Sequence, residues 1–113
     1  MDFAVDGSPR EVSEAIERCA RAQGNVTALV VPWESTATSL NMAVTLVKGD
    51  GWAIEHTNLG TIRLTADGDG TRVGIQASDP DRADRVAVFE RFARGVEQHL
   101  SARRPTDAEQ RRS

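Results

Sequence analysis

The side chain best placed for chemistry is His56. Trp52, Ile54 and His56 alternate with Ala53, Glu55 and Thr57, which is the period of a strand with one buried face. This predicts His56 on the interior face beside Trp52 and Ile54. A neutral imidazole among apolar groups can hydrogen-bond a ligand carbonyl or carry a proton as a general base. The plainer expectation is a histidine satisfied by a backbone carbonyl, or one near a strand end and in water. His56 is the only catalytic candidate, and no catalytic residue is assigned. Glu34 and Glu55 have no carboxylate partner at glycosidase spacing. Asp67-Gly68-Asp69-Gly70 has the look of a calcium loop, but Ser78 stands where the bidentate glutamate belongs, so no metal site is expected. Gly68 and Gly70 do not precede a helix and form no phosphate cradle. Ser35, Thr36 and Ser39 have no nucleophile-elbow context.

Other polar groups read as structural. Cys19 is the single cysteine and lies on the apolar stripe of a helix, where it acts as a small hydrophobe. His99 sits near a helix C-terminus, where a cation meets the negative end of the dipole. Arg63 and Arg72 lie on neighbouring strands facing outward; they can bind an anion, but a solvated sheet face is the simpler expectation.

Composition narrows the classes. The chain has 113 residues, 39% of them hydrophobic, and 14 basic against 17 acidic side chains give a formal net charge of −3. One domain is expected at that length. The charge excludes coating of nucleic acid through bulk basicity, and five aromatics without a tyrosine supply few stacking platforms. No run approaches the roughly 18 apolar residues of a membrane span. The acidic start and the solitary cysteine point to a cytoplasmic protein; no motif calls for a cofactor, and none is expected.

The elements that position these side chains follow from pattern. Phe3 and Val5 form a short opening strand. Ser8-Pro9-Arg10-Glu11 starts a helix by capping box and N1 proline. Val12, Ala15, Ile16, Cys19 and Ala20 make its buried stripe, and Gly24 ends it. A meander is expected over 26–33, 40–47, 52–57, 61–66 and 73–77, with breaks at Lys48-Gly49-Asp50-Gly51, Asn58-Leu59-Gly60 and Asp67-Gly68-Asp69-Gly70. Asp79-Pro80 is read as the start of a long helix to about Ala102, with Val86, Phe89, Ala93, Val96 and Leu100 on its stripe and Phe92 on its flank. Residues 1–102 form the domain; 103–113 lack periodicity and are expected to be a disordered polar tail. The predicted fold is α+β: a two-layer sandwich in which a curved antiparallel sheet of about five to six strands is gripped by both helices, in the order β-α-β5-α.

Gly60-Thr61-Ile62-Arg63-Leu64, the Asp67-Gly68-Asp69-Gly70-Thr71-Arg72-Val73 hairpin and the final amphipath from Phe89 to Leu100 resemble the START-like helix-grip superfamily (SRPBCC), which includes polyketide cyclase/dehydrase-type proteins. The resemblance implies a cavity between sheet and C-terminal helix holding a hydrophobic or amphipathic small molecule. Its expected lining here is Met42, Val44, Trp52, Ile54, His56, Leu64, Ile75, Phe89 and Phe92. Trp33 is a further candidate at the pocket mouth. Two other classes remain open. The valine-rich segment 26–33 suits an interaction module, without ligand, that forms a homodimer through an exposed strand edge or sheet face. A cyclase- or isomerase-like enzyme using His56 as base is the third.

Overall fold

The computed structural model describes residues 2–49 and 53–103. The chain runs β1 (Asp2–Asp6), α1 (Pro9–Gln23), β2 (Val26–Val30), a 3-10 turn (Pro32–Glu34), β3 (Ser39–Lys48), β4 (Glu55–Asp67), β5 (Gly70–Ala77) and α2 (Ala83–Arg103). The five strands form one antiparallel sheet in the order β1-β5-β4-β3-β2, with both helices on one face. The fold is the expected α+β sandwich. The first strand lies at one edge and the second at the other, because α1 carries the chain from β1 across the inner face to β2.

Local chemistry explains α1. The Glu11 amide donates to Ser8 Oγ (3.2 Å) and the Ser8 amide to Glu11 Oε1 (3.0 Å), so two otherwise orphaned donors are satisfied. Pro9 occupies the first turn, and Gly24 closes the helix at φ 86°, a left-handed conformation that glycine adopts without penalty. Val12, Ala15, Ile16 and Ala20 are buried, with Cys19 partly buried beside them.

Two expected boundaries move. The segments 52–57 and 61–66 belong to one strand, β4, and Asn58-Leu59-Gly60 is a bulge within it. Val44 pairs with Gly60 and Thr45 with Asn58, which leaves Leu59 as an extra residue on β4. The Ser78 amide and hydroxyl bind the carbonyls of Leu59 (3.1 Å) and Asn58 (3.0 Å), holding the bulge from the end of β5. Four strands therefore follow α1. The long helix begins at Ala83 rather than at Pro80, since Asp79–Arg82 closes a turn through an Arg82 amide to Asp79 carbonyl bond of 3.1 Å. Proline suits the second position of such a turn as well as it suits a helix start. In the first turn of α2, a side-chain bond from Arg82 holds the Asp84 carboxyl below the usual carboxylate range.

The core is one cluster between sheet and helices. It contains Val5, Val26, Ala28, Met42, Val44, Leu46, Leu59, Ile62, Leu64 and Val73 from the strands. Val12, Ala15, Ile16 and Ala20 of α1 and Phe89, Phe92, Val96 and Leu100 of α2 complete it. Among the described residues its only buried polar side chains are Ser13 and Thr71. Ser13 Oγ donates to the Arg10 carbonyl and Thr71 Oγ1 to the Gly7 carbonyl, each at 2.7 Å, so neither hydroxyl is left unpaired.

Candidate functional site

Six of the expected lining residues belong to the one core cluster between sheet and helices. Met42, Val44 and Leu64 are fully buried on the sheet, Phe89 and Phe92 are buried on α2, and Ile75 packs partly buried against the same cluster. Their side chains occupy the space between the layers. Phe89 reaches the sheet itself: a Cβ on Gly60 would overlap its ring and the Gln76 carbonyl oxygen.

Ile54 and His56 depart from expectation. Ile54 is 51% exposed, and His56 is exposed on the face turned away from both helices. The cause is the bulge. After it, Gly60, Ile62 and Leu64 face inward; before it, Leu59 and Thr57 do. One inserted residue reverses the alternation, and His56 falls opposite Val47 on the outer face. The observation that suggested His56 as an interior base is thereby removed. Trp52 lies outside the described residues. No group of three or more His, Cys, Asp or Glu side chains is gathered among the described residues.

Among the described residues nothing covers the outer face of the sheet, which is mainly polar. Asp2, Gly74, Arg63 and Asn41 form one cross-strand row on it, with Thr61 and Gln76 alongside, around an open depression of about 500 Å³. A second shallow depression of about 460 Å³ lies on the solvent side of α2, between Arg91, Arg94 and Gly95. Arg72 lies 3.8 Å from Asp67 in an exposed pair, which screening by water makes weak.

The remaining feature is the free side of β2. The Val31 amide donates to Asn41 (2.8 Å) and the Val47 amide to the Asn25 carbonyl (2.7 Å), so the odd-numbered residues of β2 face β3. Antiparallel alternation then turns the N–H and C=O of Val26, Ala28 and Val30 outward, where no described strand pairs with them. Segment 26–31 carries no charge, no proline and no bulge, the usual guards of an edge. At the other edge β1 carries Asp2 and Asp6. Beside the free edge lie the two most exposed large apolar side chains described, Leu29 at 61% on the outer face and Trp33 at 84% in the following turn. The sequence pattern marks segment 26–33 as a candidate edge, but it assigns Trp33 to a pocket mouth rather than to this edge and does not single out Leu29. The alternation of Val26, Ala28 and Val30 with Thr27 and Leu29 was the available signal.

No family model, curated protein or solved structure matches the chain.

Proposed function

We propose that this domain is an interaction module that works by adding an extended strand to the free edge of β2. The observation that carries this reading is the uncharged, outward-facing backbone of Val26, Ala28 and Val30, flanked by the exposed Leu29 and Trp33. Main-chain hydrogen bonds supply affinity in strand addition, and side chains alternating along the edge supply selectivity. A peptide of this chain's own segment 25–31 is the probe. In the isotope-labelled protein it shifts the amides of Val26, Ala28 and Val30, while those of Thr27, Leu29 and Val31, turned toward β3, move little. Unchanged amides at all three outward positions refute strand addition.

A second reading is favoured by the gathering of Met42, Val44, Leu64, Ile75, Phe89 and Phe92 in one core cluster between the sheet and the helices. In it the domain, like the helix-grip proteins it resembles, holds an apolar small molecule there once Phe89 and Phe92 give way. The strand–helix–sheet–helix order is in line with that resemblance. A long-chain fatty acid tests it. A saturable shift of the Met42 methyl resonance supports the reading, and an unmoved resonance rejects it.

A further inference from the structure

Resting on the strand-addition reading, we infer that the occupant of the β2 edge is the β2 of a second copy of this chain, paired antiparallel about a two-fold axis at Ala28. Three outward residues are available, Val26, Ala28 and Val30. The register that uses all of them sets Ala28 against Ala28 and Val26 against Val30, forming about six inter-copy hydrogen bonds, one from each N–H. Sliding one way sets Val26 against Pro32, which has no N–H. Sliding the other way sets Val30 against Gly24, where the chain turns into α1. The edge therefore admits one full register, and that register is symmetric.

The side chains agree with this pairing. On the inner face, Val26 and Ala28, both buried, continue the core of one copy toward Val30 and Ala28 of the other. On the outer face Leu29 lies across from Thr27, which removes part of its exposed surface from water. By the same register, the 3-10 turn that carries Trp33 and Glu34 follows the paired strand at the end where α1 of the other copy finishes, and the last turn of that helix carries Arg21. No like charges oppose one another along the paired strands, because neither strand bears any.

A five-residue strand with one tryptophan lies at the small end of specific interfaces, so the dissociation constant is on the order of 10⁻⁵ M. Sedimentation velocity on the full chain should then show monomer at about 1 μM and mostly dimer at about 200 μM. Two variants probe the edge. Ala28→Pro deletes one outward N–H and leaves the β3 ladder intact; Thr27→Lys places a charge on each strand opposite Leu29. Both should keep a cooperative thermal transition and remain monomeric at the higher concentration. A wild-type chain that stays monomeric there overturns the second-copy assignment. Strand addition itself still stands in that case if the 25–31 peptide shifts the outward amides. A dimer that survives both variants is held elsewhere and likewise overturns the second-copy assignment, with strand addition again decided by the 25–31 peptide.

Discussion

The ring of Phe89 lies directly against the backbone of Gly60, so closely that position 60 has no room for a Cβ. Gly60 faces inward at the β4 bulge next to the buried Leu59, and the helix docks where the sheet lacks a side chain. This contact links the strand irregularity to the position of α2. Gly60→Ala forces either the ring or the strand to move, and overpacking of this kind destabilises by about 3 kcal/mol. Urea unfolding measures it. Phe89→Leu in the same chain should recover part of the loss, giving a coupling energy that independent sites would not show.

The bulge also fixes which way β4 faces. Leu59→Ala empties a fully buried site and should cost about 3 kcal/mol, whereas His56→Ala should change stability by less than about 0.5 kcal/mol. The reverse order would place His56 inside and Leu59 outside, as simple alternation from Trp52 suggests.

Much of the molecule can be read from local pattern. Ser8, Pro9, Glu11 and Gly24 mark α1 at both ends because capping depends on residues within one turn. The Asp67–Gly70 hairpin and the α2 stripe are legible for the same reason. The bulge is not. Asn and Gly punctuate turns and bulges alike, and what distinguishes them here is the pairing of residues 58–60 with Val44 and Thr45 across the sheet. The error in placing His56 and Ile54 follows from that one residue. The start of α2 shifted because proline serves a turn and a helix N-terminus equally well. An edge at 26–33 is suggested by Pro32 and Trp33, but that β1 takes the opposite edge depends on the order of all five strands, which no local window contains.

The loop between β1 and α1 is tied down by Thr71. Its buried hydroxyl donates to the Gly7 carbonyl across 64 residues of sequence. Thr71→Val keeps the shape and leaves that carbonyl without its donor, which should cost about 1–2 kcal/mol in chemical denaturation. Thr71→Ser retains the donor and should lose less.

The capping box makes a separate prediction. Ser8→Ala removes the acceptor for the Glu11 amide and should cost about 1 kcal/mol. Combining it with Glu11→Ala should cost less than the sum of the two changes, since each side chain satisfies the amide of the other's residue.

Hydrogen exchange at the Ala28 amide, followed against protein concentration, tests the edge most directly. This N–H points away from β3, so dilution should leave it exchanging rapidly. Concentration into the dimer range should protect it along with those of Val26 and Val30. Exchange at Ala28 that is unchanged between about 1 and 200 μM, with Thr27 and Leu29 already protected by β3, would contradict self-pairing at β2.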